Sequence, residues 1–283
     1  MKKIKLIAIV LLIAGFGYSC SKQNESTVNV EVEAETVQYE QLMQELDNYS
    51  SDYITSVGTK SPFWRSLGRI VSRDAFGAII GGLLGPGGSL LGAVTGSIAQ
   101  FVVEIVEVNL SAENACDLDA YYNKNVSLYD GQILLDEPDS LGILHNQIIV
   151  SILEERPDIA NLTDEEIHSL ILCKMSETGC ELPATSLSDY RFYANLGGSG
   201  DSDQMFSEVI SQYPSLENEL QTAKIYFDTI AAIDEEYIPE YTKGYKTVVD
   251  NSVIEETSKD LIKATISVAG SSKLLWDEES FVE

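Results

Sequence analysis

Residues 75–103 read AFGAIIGGLLGPGGSLLGAVTGSIAQFVV, and this uncharged stretch is the strongest indication of the fold. Its glycines recur at every fourth position in two sets, which are Gly77, Gly81, Gly85 and Gly88, Gly92, Gly96. A four-residue spacing places each set along one side of a helix, where missing side chains let two backbones approach closely. The run Gly85-Pro86-Gly87-Gly88 breaks the helix between the sets. The stretch therefore predicts two short helices that pack through their glycines as a hairpin.

The lengths of the two predicted helices favour a buried position. A helix over residues 75–84 is about 15 Å long and one over 89–103 about 22 Å, so neither alone spans a hydrocarbon core of about 30 Å. Each glycine inside a helix costs about 1 kcal/mol relative to alanine, so tight packing is needed to offset the combined cost of these glycines. The stretch resembles the glycine zippers of membrane-active peptides and some envelope proteins. That resemblance implies the alternative: an element that inserts into a membrane or assembles with other copies.

The remainder of the chain is predominantly helical in pattern. Apolar residues recur at helical spacing from Val37, and helical signals resume at 139 and continue to about 270. Thr163-Asp164-Glu165-Glu166 has the form of a capping box. The sequence predicts an all-α fold: a helical domain over residues 37–283, built around the hairpin 75–103, with a C-terminal helical region over 139–270.

The first twenty residues carry an export signal. Three lysines precede an apolar run over residues 6–13, and Gly17-Tyr18-Ser19 leads into Cys20. These residues resemble the lipobox of bacterial lipoproteins, although Gly17 stands where that family usually has leucine. The resemblance implies cleavage before Cys20, which would then carry a diacylglycerol and an N-acyl chain. An ordinary secretory signal and an uncleaved anchor are the alternatives.

The lipoprotein interpretation divides the chain into three parts. Residues 1–19 are the signal peptide, 20–36 a flexible polar tether, and 37–283 the helical domain. Val28, Val30 and Val32 alternate with polar residues and would suit a short strand inside the tether. Several acyl chains give stable anchoring, so the expected location is the cell envelope, as an outer-membrane lipoprotein facing the periplasm or the surface.

The charge balance excludes one class of partner. The chain has a formal net charge of −27, and loss of the three lysines in residues 1–19 lowers it to −30. Phosphate backbones require clustered Lys and Arg, so nucleic acid is not an expected partner. Electrostatic adhesion to anionic lipid is disfavoured as well. The membrane, reached through the lipid anchor, and a protein or glycan are the expected partners.

Three cysteines remain after Cys20, namely Cys116, Cys173 and Cys180. An odd count in an exported protein leaves at most one internal disulfide and a free thiol. Cys173 and Cys180 are the candidate pair because they close a short loop through Gly179. The alternative is that these cysteines are free thiols that pack as small hydrophobic groups. No metal-ligand spacing accompanies them.

Candidate catalytic residues are few. The sequence has two histidines, and His145 beside Asn146 suits a buried polar pair that joins its helix to the hairpin. A nucleophile formed by a cysteine and His145 is the enzymatic alternative. Asp201-Ser202-Asp203 is either a calcium ligand group or a helix N-cap. No catalytic or cofactor motif is present, so we expect no enzyme activity, no cofactor and no metal site.

The tyrosines of the C-terminal region offer a further surface. Tyr237, Tyr241 and Tyr245 recur at helical spacing, which is typical of half-buried packing or of a peptide or glycan groove. The layout resembles uncharacterised lipoproteins of Bacteroidetes-type envelopes in the Gly17–Cys20 motif, the glycine segment after Ser72-Arg73-Asp74, and residues 141–146. The leading hypothesis is a lipid-anchored, non-enzymatic envelope protein with a binding or assembly role. The alternative is a membrane-active, toxin-like or bacteriocin-like protein that acts through the hairpin.

Overall fold

The computed structural model describes residues 25–59, 65–108, 140–198 and 201–276. Ten α-helices occupy these ranges and no strand occurs in them, so the predicted all-α class is confirmed. The helices are α1 Glu25–Val57, α2 Arg65–Gly82, α3 Pro86–Val108, α4 Leu141–Glu155, α5 Asp164–Glu177, α6 Leu187–Ala194, α7 Ser202–Gln212, α8 Glu217–Ala232, α9 Ile238–Asn251 and α10 Glu256–Trp276.

The chain divides into two compact units, residues 1–41 and 42–283. The described part of the first unit is the beginning of α1, which starts at Glu25. This start corrects the predicted tether: residues 25–36, including the expected strand at 28–32, are helical. Helix extension gains one hydrogen bond per added residue, and Glu33, Ala34 and Glu35 are good helix formers. Residues 20–24 lie outside the described ranges, as do Cys20 and the signal.

The second unit is built around the predicted hairpin. Helices α2 and α3 pack along each other, and the prediction of a buried glycine-rich hairpin is confirmed. Both helices extend beyond residues 75–103, because the stretches that flank the uncharged segment are also helical. The apolar side chains of the hairpin fill the core, with 0% exposure at Phe76, Ile79, Leu90, Val94 and Ile98.

Helix α10 runs through the same core. It packs on α2 and α4 and also contacts α8 and α9. Every residue from Ala264 to Trp276 is buried, including polar ones. Small residues make the close contact with α4 possible: a Cβ on Gly142 would overlap the carbonyl oxygen of Ser267. A helix buried on all sides has to present small or apolar groups all round, as this segment largely does.

The C-terminal helices follow the predicted region with two differences. The capping box is present: the Thr163 amide donates to Glu166 Oε2 at 2.8 Å, and the Glu166 amide donates to Thr163 Oγ1 at 3.3 Å. The last helix continues to Trp276, six residues past the predicted end at 270. Ser271, Ser272 and Lys273 look like a polar boundary in sequence, but the tertiary structure buries them. Cys116 lies outside the described residues.

Candidate functional site

The glycine hairpin (residues 75–103) is held together by contacts between main chains. A Cβ on Gly77 would overlap the carbonyl of Gly92, and a Cβ on Gly81 would overlap that of Gly88. Conversely, a Cβ on Gly92 would overlap the carbonyl of Gly77, and a Cβ on Gly88 would overlap that of Gly81. At Gly96 a Cβ would lie 2.8 Å from the carbonyl oxygen of Arg73. Five of the six predicted packing glycines therefore lie where another main chain leaves no room for a side chain.

Gly85 differs from the other five, and its predicted packing role is corrected. It has a φ of +86° and no atom within 4 Å of an added Cβ. Its position between Gly82 and Pro86 makes it the turn residue that ends α2, a place where the left-handed conformation favours glycine. The four-residue spacing alone does not distinguish a packing glycine from a glycine that ends the helix.

The connection between the two helices forms an exposed apolar tip. Leu83 and Leu84 are 60% and 63% exposed. An open groove of about 240 Å³ lies beside them, lined by residues that include Gly82, Ser89, Leu141 and Leu261. Within the described residues, one segment, Pro86–Val103 of α3, is long and apolar enough to cross a membrane, and most of it is buried inside the fold. The hairpin thus exposes leucines at its turn while its body remains in the core.

A buried polar cluster lies at the other end of the hairpin, far from the turn. Its members are at most 2% exposed, and they are Asp74 on α2, Ser97 on α3, His145 and Asn146 on α4, and Ser272 on α10. Asp74 Oδ2 accepts a hydrogen bond from Ser97 at 3.0 Å and another from the Ser272 hydroxyl. The same oxygen lies 3.5 Å from His145 Nε2. The cluster therefore joins four helices through one carboxyl group.

The hydrogen bonds of Asn146 determine which nitrogen of His145 holds a proton. Asn146 Nδ2 donates to the Ser271 carbonyl at 2.7 Å, so the amide oxygen faces His145 Nδ1, 2.9 Å away. An amide oxygen only accepts, and His145 Nδ1 must therefore be the donor. His145 Nε2 is left facing Asp74. The predicted junction between α4 and the hairpin is thus made by His145, with Asn146 orienting the ring.

Burial favours the neutral form of both titratable groups in the cluster. Desolvation raises the pKa of Asp74 well above its usual value and outweighs the lowering by the two serine hydroxyls and by the charge of Arg73. Desolvation also lowers the pKa of His145 to about 4, while the hydrogen bond with Asn146 opposes that shift. These groups have no exposure to solvent, so the arrangement joins helices inside the core.

Arg73 connects the same end of the hairpin to the loop that follows α6. Its guanidinium donates to the carbonyl of Ala194 and, at 2.6 Å, to that of Gly198. Cationic side chains are favourable at helix C-termini because carbonyls there have no intrahelical donor. Together with the polar cluster, this contact ties the start of the uncharged segment to several surrounding elements.

Two of the three tyrosines in the predicted stripe are buried, whereas Tyr237 is half-buried. Tyr241 and Tyr245 are fully buried, and Tyr241 stacks between Tyr49 and Tyr226 with ring centroids 5.4 and 5.5 Å away. Tyr245 donates from its hydroxyl to the Thr222 carbonyl at 2.6 Å. The tyrosine cluster, defined as Tyr49, Tyr53, Tyr226, Tyr241 and Tyr245, packs α1, α8 and α9 together. Tyr241 and Tyr245 therefore serve packing between helices.

The two described cysteines are free, which corrects the candidate disulfide. Cys173 is exposed on α5, and its thiol lies 3.8 Å from Glu177 Oε1. Cys180 is half-buried beside the start of α3, 3.5 Å from where a Cβ of Gly87 would lie. The two thiols contact different elements, and burial raises the pKa of Cys180. A short sequence separation does not bring the two sulfurs together when one of them lies on a helix.

The Asp201-Ser202-Asp203 group serves as a helix start. The Gln204 amide donates to Asp201 Oδ1 at 3.0 Å, and Asp203 pairs with Lys224 at 2.7 Å. Within the described ranges, no group of three or more His, Cys, Asp or Glu residues has the arrangement of a metal site.

Sequence reasoning missed most of the polar cluster. The sequence pattern places Asp74 only in the stretch before the glycine segment, and it does not single out Ser97 or Ser272. A signal was present in the near-absence of charge from Ala264 to Trp276, where Lys273 alone is charged. Comparison of the chain with family models, curated proteins and solved structures finds no match to any of them.

Proposed function

We propose that the protein is a lipid-anchored, non-enzymatic component of a cell envelope whose helical domain binds a partner or contributes to an assembly. The observation that carries the non-enzymatic part of the proposal is the burial of Asp74 and His145, two titratable groups that lie side by side, at 0% exposure inside the core. The signal-like residues 1–19 followed by Cys20 support the anchor. The strong negative charge supports solubility of the domain outside the cell membrane.

The anchor is tested on protein made with its native N-terminus in a Gram-negative host. Mass spectrometry of the N-terminal peptide is expected to show Cys20 as the first residue with a diacylglycerol and an N-acyl chain. The Cys20→Ala variant is the matched control and is expected to lose the lipid and leave the membrane fraction. An unprocessed Met1, or a trimmed chain without lipid, would refute the anchor.

A second candidate function is membrane activity of the hairpin, and the exposed tip favours it. Leu83 and Leu84 lie at the turn of two helices that have no charge from residue 75 to residue 103. The glycine contacts are made between α2 and α3 themselves, so the hairpin can leave the core without losing them. The apolar window of α3 is about 27 Å long at 1.5 Å per residue, close to the thickness of a hydrocarbon core.

Dye release from phosphatidylcholine vesicles separates the two candidates. A zwitterionic lipid is appropriate because a net charge of −27 repels anionic surfaces. Membrane activity predicts leakage by the wild-type chain and its loss in the Leu83→Asn/Leu84→Asn variant, whose substitutions are exposed and should leave the fold intact. The absence of leakage from pH 5 to 9 would remove this candidate and would leave the anchored binding protein unaffected.

A further inference from the structure

We propose that Asp74 and His145 form a neutral latch in which the Asp74 carboxyl donates its single proton to His145, and that loss of this proton as the pH rises releases the glycine hairpin from α4 and α10. The latch acts on the fold whether the hairpin meets a protein or a lipid partner.

The geometry leaves room for one proton between the two groups. Asp74 Oδ2 and His145 Nε2 are 3.5 Å apart, and both side chains have 0% exposure. His145 Nδ1 already donates to Asn146, so a neutral ring has an unprotonated Nε2 that can accept. Among the described residues, His145 Nε2 and Asp74 Oδ1 have no hydrogen-bond partner. A protonated carboxyl supplies the donor that the imidazole needs.

The charges around the pair are few. Arg73, next to Asp74 on α2, has its guanidinium on the carbonyls of Ala194 and Gly198. Helix α10 presents the Ser272 hydroxyl and carries the buried Lys273, and α3 presents the Ser97 hydroxyl with no charged residue before Glu104. Helix α4 contributes His145 and the neutral amide of Asn146. The cations favour the carboxylate, but desolvation is the larger effect on Asp74.

The direction of the pH effect follows from proton binding. Because the pKa of Asp74 is raised in the folded chain, its contribution to stability is complete below about pH 4 and is lost as the pH rises through the raised value. His145 behaves in the opposite sense: its contribution is complete above about pH 6.5 and declines as the pH falls toward 4. The two effects offset each other in mildly acidic solution, so the loss appears on the alkaline side.

Loss of the Asp74 proton acts on the base of the hairpin because of the position of this carboxyl group. Its carboxyl is the point at which α2, α3, α4 and α10 meet, whereas the glycine contacts hold α2 to α3. A buried carboxylate whose neighbour is a neutral imidazole is costly in the core. Separation of the hairpin base from α4 and α10 lets water reach that charge while the two hairpin helices stay together.

Hydrogen exchange of the full chain between pH 6 and 9 tests the latch. After correction for the intrinsic rate, the opening equilibrium of amides in residues 75–103 is expected to rise up to tenfold per pH unit in the wild type and to stay constant in Asp74→Asn. Glu154→Gln, which changes an exposed acid on α4, is the matched control and should keep the wild-type profile. Constant wild-type protection, or an unchanged pH dependence in Asp74→Asn, would overturn the proposal.

Nitrogen NMR of histidine-labelled wild-type protein provides a test that needs no folded Asp74 variant. The chain has two histidines, and His168→Gln identifies the signals of His145. At pH 7 we expect His145 with a protonated Nδ1 and an unprotonated Nε2 that accepts a hydrogen bond. An imidazolium signature at that pH would place the proton on the ring, and the neutral latch would then be wrong.

Discussion

The glycine hairpin and the tyrosine cluster join helices in opposite ways. In the hairpin, the glycines have no side chains, so the two main chains contact each other directly, as at Gly77 and Gly92. In the cluster, the gap between helices is filled by rings such as Tyr226 and Tyr241, whose hydroxyl groups find partners on neighbouring helices. The glycine interface therefore has no side chain that can adjust to a substitution, whereas the tyrosine interface depends on ring packing and on hydrogen bonds that can be removed one at a time.

Among single substitutions, the largest effect should come from filling the hairpin interface. Gly92→Ala replaces a poor helix former by the best one, yet its Cβ would overlap the main chain of Gly77. We expect a loss of about 3 kcal/mol in the free energy of unfolding, the upper range for overpacking. Denaturant unfolding followed by circular dichroism measures it.

Gly85→Ala is the control for this test. An added Cβ there meets no atom within 4 Å, so the cost is that of a positive φ, about 1 to 2 kcal/mol. Equal losses for Gly85→Ala and Gly92→Ala would show that main-chain contact does not distinguish the hairpin from an ordinary turn.

In the Asp74→Asn background, which removes the latch, alkaline pH should act on the tyrosine cluster and not on the glycine contacts. Burial raises the pKa of Tyr226 and Tyr245 above the ordinary value of 10, so the unfolded chain releases their protons first. The stability that these groups contribute is complete below pH 10 and falls above it by about 1.4 kcal/mol per pH unit for each tyrosine. Tyrosinate absorbance and circular dichroism are measured together in this background.

Coincident transitions of absorbance and helicity above pH 10 are the expected outcome. Ionisation of all 14 tyrosines with no loss of helical signal would contradict the buried cluster.

The smallest effect should come from removing one hydroxyl group in the tyrosine cluster. Tyr245→Phe keeps the ring packing but deletes the donor to the Thr222 carbonyl, so we expect a loss of about 1 kcal/mol. Thermal and denaturant unfolding measure the difference. Tyr213→Phe, at a half-buried position, is the control and should stay within about 0.5 kcal/mol of wild type. A larger loss at Tyr213 than at Tyr245 would mean that the cluster does not depend on its hydroxyl bonds.

Local patterns predicted the elements better than the site. The uncharged segment, the four-residue glycine spacing and the Thr163 capping box each act within one or two helices, so the sequence reveals them directly. The tyrosine spacing predicted that Tyr241 and Tyr245 share one face of α9. It did not predict that Tyr49 and Tyr226, from other helices, stack on that face. The Cys173–Cys180 pair and the tether over 25–36 were predicted from nearness in sequence and from composition. Both were corrected because the actual neighbours and the extent of α1 depend on the folded chain.

A helical chain with an uncharged, glycine-spaced hairpin in its core is predictable from the amino-acid order, because periodicity and the absence of charge act through local geometry and burial. The packing of the folded chain is needed to see that Gly85 is a turn residue, that Ala264–Trp276 is buried, and that Asp74 lies beside His145. Those outcomes depend on contacts between residues that are far apart in the sequence, such as Asp74 and Ser272, which are hydrogen-bonded in the fold. Whether a polar residue is exposed, paired or neutral is set by the helices packed around it.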